Sequence, residues 1–116
     1  MDTNVIKPNA ISSFQILKRR AGSLRLEVWS PKPLDIYVIT ENGYKTLQTS
    51  NKISMWDTKF SLKDQTGFSN QIRLDAGQFY LVFHNKNPNE LHYRFEISEN
   101  YDPPVTSGMV GTYHKF

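Results

Sequence analysis

Two runs of alternating apolar and polar residues, Phe79-Tyr80-Leu81-Val82-Phe83 and Leu91-His92-Tyr93-Arg94-Phe95-Glu96-Ile97, flank a loop of Asn, Pro and Lys. A period of two places Phe79, Leu81 and Phe83 on one strand face, and Leu91, Tyr93, Phe95 and Ile97 on another. The pattern predicts an antiparallel hairpin over Leu74 to Ile97, entered through an Asp75-Ala76-Gly77 turn in which Gly77 is able to take a positive φ without a Cβ penalty. On its opposite face Tyr80, Val82 and His84 then meet His92, Arg94 and Glu96. Two imidazoles side by side could hold zinc or respond to pH between about 5 and 7, but an ordinary polar outer face is the plainer reading because no third ligand is in view.

The same alternation recurs upstream. Ile11 to Arg20 carries Phe14 and Ile16 on one face, and Ser23 to Ser30 sets Leu24, Leu26 and Val28 against Arg25, Glu27 and Trp29. Pro31 and Pro33 cannot donate to a ladder and predict a turn, after which Leu34, Ile36 and Val38 alternate with Asp35, Tyr37 and Ile39. Glu41-Asn42-Gly43 is a second turn signal, leading to a short strand from Tyr44 to Leu47. Trp56, Thr58, Phe60 and Leu62 share a face, Lys63 to Asn70 reads as a polar excursion with Phe68 as its buried candidate, and Gln71 to Leu74 as a short strand.

Short strands at spacings near ten residues, without an amphipathic helix or internal repeat, predict an all-β chain: a single antiparallel β-sandwich of about 7-8 strands, jelly-roll or Ig-like in topology. Residues 1-10 form an N-terminal lead-in, 11-100 the sandwich, and 101-116 a tail or edge segment whose Met109, Val110, Tyr113 and Phe116 dock on the body or face a following domain. The expected core is Leu24, Leu26, Val28, Ile36, Val38, Phe60, Leu81, Phe83, Phe95 and Ile97.

The stretch Ala76-Gly77-Gln78-Phe79-Tyr80-Leu81-Val82-Phe83-His84-Asn85 resembles the G-x-Y-x-L-x-F-x-N strand of GOLD-like domains, the p24 type of jelly-roll sandwich. The resemblance covers about a quarter of the chain. The cysteine pair, signal segment and membrane anchor of the p24 trafficking proteins have no counterpart here, so it implies a sandwich used for interaction and not a particular cargo.

Composition narrows the function. The chain has 116 residues, enough for one domain to fold without a metal or disulfide. It contains no Cys, which excludes thiol catalysis and cysteine-based zinc sites. No signal peptide or 18-residue apolar run is visible, leaving the compartment open, or cytoplasmic if the chain is complete. A net charge of +3 is too small for a dedicated nucleic-acid binder. Its one basic cluster, Lys18, Arg19, Arg20 and Arg25, could contact phosphates or anionic lipid heads, although a solvated strand end is simpler. Phosphate-loop, zincin, nucleophile-elbow and EF-hand motifs are all missing. Asp57, Asp64 and Asp75 at strand ends have calcium-ligand chemistry, yet turn formation explains them more simply. Pro31-Pro33 and Pro103-Pro104 lack a full PxxP.

No catalytic residue, metal ligand or cofactor is therefore expected. The expected function is a non-catalytic interaction module for a protein or adjacent domain, the alternative a carbohydrate- or lipid-binding sandwich. Were Pro31-Lys32-Pro33 a hairpin turn, Trp29 and Tyr37 would meet on the outer face beside Arg25, an aromatic and basic combination enriched at binding hot spots. Arg25, Trp29 and Tyr37 are the expected binding residues.

Overall fold

The computed structural model describes residues 3–101 of the chain. Its strands are β1 (Asn4–Ile6), β2 (Ile11–Lys18), β3 (Gly22–Thr40), β4 (Thr58–Leu74), β5 (Gly77–His84) and β6 (Leu91–Tyr101). One helix, α1 (Glu41–Ser50), and a 3-10 turn, Met55–Asp57, lie between β3 and β4. The expected antiparallel all-β chain is present, with six strands among the described residues. Tail residues 102–116, with Met109, Val110, Tyr113 and Phe116, lie outside them. The lead-in contributes β1, whose Asn4, Val5 and Ile6 pair with Tyr93, His92 and Leu91.

The sheet is built around β3. It pairs with β4 along nearly its whole length, while its other edge is shared: Gly22 to Trp29 pair with β6, and Asp35 to Thr40 pair with β5. The hairpin expected over Leu74 to Ile97 is therefore not formed. β5 and β6 lie end to end along β3, and their outer edges are taken by β2 and β1. Alternation fixed which faces are apolar, but it cannot distinguish two strands paired with each other from two strands paired with a third.

Pro31 and Pro33 do interrupt the ladder, since the β3–β4 register jumps between Trp29 and Leu34. The chain bends there and continues instead of reversing. Ser30, buried, holds the bend by donating its hydroxyl to the Lys32 carbonyl at 2.6 Å. Residues 63–70, expected as a loop, are likewise strand, for β4 follows β3 through the bend.

Short connections then curl the sheet. Three residues, 19–21, join β2 to β3, and two, 75–76, join β4 to β5, so each pair of ends lies within roughly 7 to 14 Å. Because Lys18 pairs with Gly77 and Phe79 with Thr40, the two ends of β3 come together. Gly77 has φ 150°, the positive value its turn requires.

Inside the curl lies the main core. Leu24, Leu26, Ile36, Val38, Leu81 and Phe83 are fully buried and Val28 nearly so, while Phe60, Phe95 and Ile97 are partly buried against them. Aromatic rings close it across the sheet: Phe14 of β2 meets Phe95 of β6 at 4.7 Å, and Phe83 meets Tyr93 at 4.7 Å. Alternate residues of the motif strand serve this core. Phe79, Leu81 and Phe83 point inward, and Asn85, fully buried, donates its side-chain amide to the carbonyls of Ile6, Lys7 and Asn89.

The largest departure from expectation is α1, in place of a turn and strand over Glu41 to Leu47. Thr40 caps it, its hydroxyl accepting from the Gly43 N–H at 3.2 Å, and Asn51, at φ 57°, ends it by donating its N–H to the Leu47 carbonyl. Gly43 is needed for closeness, not for a turn: a Cβ there would stand 2.8 Å from that of Asp57. The helix packs Leu47 against Tyr37, Ile39 and Val82, and Tyr44 stacks on Tyr80 at 3.8 Å. It thus covers the outer face of one half of the sheet.

Tyr93 is fully buried, and its hydroxyl makes no hydrogen bond of full geometry, a weak interaction with the Ser12 side chain aside. Burial pushes its phenol up to about 12, with nearby Ser12 pulling the other way. A raised folded value means that stability is intact below the unfolded value near 10 and is lost as pH climbs toward 12. Unfolding titrations should show a loss of about 2 to 3 kcal/mol across that window, much reduced in Tyr93→Phe. At neutral pH Tyr93→Phe should be close to neutral, since it removes a buried hydroxyl that has at most a weak interaction with Ser12. Retention of the full alkaline loss in that variant would disprove the assignment.

Candidate functional site

The helix covers only the half of the outer face formed by β5 and the C-terminal part of β3. Over the other half, β6, β3 and β4 present their outward side chains without a covering element among the described residues. Their register sets Arg94 beside Trp29 and Glu96 beside Glu27 on one flank, and Gly67 beside Trp29 and Ser69 beside Glu27 on the other.

Trp29 is the centre of this surface. It is 52% exposed, a large apolar ring left in water, and the Arg94 guanidinium lies 4.9 Å from its ring centroid. Such a cation–aromatic pair restrains both groups at modest cost. Gly67 opposite has no side chain to cover the indole, which leaves a shallow groove of about 460 Å³ lined by Trp29, Val28, Phe68, Glu27, Ser69 and Arg94. Arg25 stands two residues along: its guanidinium meets the Glu27 carboxylate and donates to the Ser69 hydroxyl, both at 3.0 Å. The site offers an aromatic wall, a gap over Gly67 and a rim bearing both charges.

Of the three expected binding residues, the structure brings Arg25 and Trp29 to this face and takes Tyr37 away. Tyr37 does point away from the main core, as alternation requires, but it lies on the half that α1 covers and is 7% exposed. The missed helix is the physical reason. Arg94, Gly67 and Ser69 belong to the site and were not expected in it. Alternation did place Arg94 outward; the missing information was that β6 pairs with β3.

A second polar constellation sits where the strands bend. Asp35, its side chain 3% exposed, receives the Asp64 N–H at 3.0 Å and the Lys86 ammonium at 3.2 Å, with the Tyr37 hydroxyl at 3.4 Å and His84 Nδ1 at 3.9 Å. Lys86 also reaches the Asp64 carboxylate at 3.0 Å. Asp64 adopts φ 57°, an uncommon value for a residue with a Cβ, held by the hydrogen bond its N–H donates to the Asp35 carboxylate. Burial, followed by the Asp35 charge, raises the Tyr37 phenol above its ordinary value. The bonds to Asp64 and Asp35 raise Lys86. These groups satisfy one another around a buried carboxylate, the arrangement of a structural clasp.

The other expectations about ligands meet different geometry. His84 and His92 are not neighbours, because β5 and β6 do not pair; His84 lies beside Asp35 and His92 contacts Glu90 at 3.0 Å. Asp57 accepts from Thr40, Asp64 holds Lys86, and Asp75 borders a separate groove. Among the described residues no three His, Asp or Glu converge as a metal site. Within the basic cluster, Lys18 is buried with its ammonium directed at the Ser23 carbonyl, and Arg25 faces Glu27. Among the described residues no helix is long and apolar enough to cross a membrane.

Neither a protein-family model nor a curated protein sequence matches the chain. In fold it is similar to the crystal structure of the Yersinia pseudotuberculosis-derived mitogen, at a TM-score of 0.58 and 12% identity over 89% of this chain and 86% of that one. At that identity the likeness concerns the fold alone.

Proposed function

We propose that the protein is a non-catalytic interaction module that binds a protein or an adjacent domain through the face centred on Trp29, its curled sheet serving as a sandwich-type scaffold of the GOLD-like kind. The observation that carries this reading is the half-exposed Trp29, braced by Arg94 beside an apolar groove. Trp and Arg are the residue types most enriched at binding hot spots, and a restrained indole loses little further freedom on binding. The Asp35 constellation, by contrast, spends its polar groups on one another around a single buried carboxylate.

Affinity capture with wild-type protein and with Trp29→Ala, followed by titration of the purified partner, tests the proposal. The expected loss is about 2 kcal/mol or more, near thirtyfold in Kd, with an unchanged melting temperature. Tyr37→Ala should behave in the opposite way, lowering stability by about 3 kcal/mol through loss of its contacts under α1. Equal binding by wild type and Trp29→Ala would sink the proposal, as would turnover of a small molecule by the isolated chain. The same groove sets an indole beside Glu27, Ser69 and Arg94, which also suits stacking of a sugar ring. A glycan array separates the two readings.

A further inference from the structure

The end of the molecule where the curled sheet closes has a different composition from the Trp29 face. Here run the 19–21 and 75–76 connections, the end of β3 and the 3-10 turn before β4. Trp56 of that turn is 98% exposed and Met55 is 71% exposed; Leu17, one residue from the end of β2, is 55% exposed. These are three of the five large hydrophobics exposed among the described residues.

Cations flank the same segments in the chain. Arg19, Arg20, Lys52, Lys59 and Arg73 are all exposed, although Arg20 and Arg73 also have interactions within the fold. Lys59 and Arg73, from opposite ends of β4, line one groove of about 490 Å³ with Asp75 and Phe79. Lys45 lies on the adjoining helix. The acids at this end are Glu41, Asp57, Asp75 and Glu99, and the Asp57 carboxylate already accepts from the Thr40 hydroxyl at 3.3 Å.

We infer that this end docks on an anionic lipid bilayer, with Trp56 and Met55 entering the headgroup region and the flanking Arg and Lys lying against lipid phosphates. The inference is independent of the Trp29 proposal. Its first ground is size: a Trp–Met tip on a three-residue turn offers far less than the roughly 800 Å² per partner of a standard protein interface, yet a bilayer needs only a tip to enter. Its second is chemistry. Indole favours the membrane–water interface, and basic side chains near an anionic surface add attraction that salt screens. Among the described residues nothing covers Trp56, and it belongs to neither core cluster.

Flotation with vesicles of phosphatidylcholine alone and of phosphatidylcholine with phosphatidylserine tests this. Wild type should float with the mixed vesicles, much less with neutral ones, and lose binding as salt rises. Trp56→Ser with Met55→Ser should abolish flotation without changing the melting temperature. Arg19→Glu with Lys59→Glu should weaken it by at least about an order of magnitude. With Trp29→Phe, Trp56 is the sole tryptophan, and its emission should shift to the blue on the mixed vesicles. Failure of wild type to float with phosphatidylserine vesicles, or flotation unchanged by the Trp56 and Met55 substitutions, overturns the inference. Loss of partner capture by Trp29→Ala would not bear on it.

Discussion

Phe83→Ala should destabilise the protein by about 3 to 5 kcal/mol, a large part of the margin of an ordinary domain. Phe83 is fully buried, and its ring lies 4.7 Å from that of Tyr93, 5.1 Å from Phe95 and 6.1 Å from Phe14. Phe14 comes from β2, the ladder neighbour of β5, but Tyr93 and Phe95 come from β6, which does not pair with β5, so the ring joins parts of the sheet that only packing brings together. Truncation removes the transfer free energy of an aromatic side chain and leaves a cavity that bulky rings on opposite sides cannot readily fill. Phe83→Leu, which keeps much of the volume, should cost less than half as much. Urea unfolding of both variants measures the difference. A midpoint unchanged by the alanine substitution would mean that the curl is held by backbone pairing alone.

The alternation that places Phe83 inward was legible along almost every strand, because a half-buried sheet writes its two faces directly into the sequence. Leu24, Leu26, Val28, Ile36 and Val38 are buried accordingly. What alternation does not encode is pairing. The β5–β6 run reads as a hairpin because its loop is short, yet a 19-residue β3 offers both strands an edge and wins them both. The helix was hidden for a different reason. Asn42-Gly43 has the chemistry of a tight turn, and only the close approach of Asp57 explains why a glycine sits inside a helix.

Those two omissions decided the site as well. Trp29 and Arg25 are outward and remain in water, whereas Tyr37, outward by the same parity, is claimed by α1. Arg94 joins Trp29 only because β6 pairs with β3. The candidate surface was therefore half legible: which side chains leave the core could be read from the pattern, but not which of them the rest of the chain covers.

The clasp at the bend yields the second large effect, and it falls on a residue that is itself 42% exposed, Lys86. Lys86→Met keeps an apolar stem but removes the ammonium that lies 3.2 Å from the buried Asp35 carboxylate. The carboxylate keeps the Asp64 N–H, the more distant Tyr37 hydroxyl and His84 Nδ1 at 3.9 Å, too little to replace the solvation it gave up. Removing one partner of a buried pair typically costs about 3 to 5 kcal/mol, and the lower end suits a site whose lysine is partly in water. The opposing substitution tests the cause. Asp35→Asn with Lys86→Met leaves no buried charge and lets the amide oxygen accept from Asp64, so the double variant should recover much of the loss. Alkali should also weaken the clasp. The Lys86 ammonium is held above its ordinary value by Asp64 and Asp35, so its contribution is fully present below the unfolded value near 10.5 and fades as pH rises through the folded one. Urea midpoints for the single and double variants decide the matter: if Lys86→Met leaves the midpoint where it was, the lysine does not offset the burial of Asp35 and the bend is held by its backbone bonds.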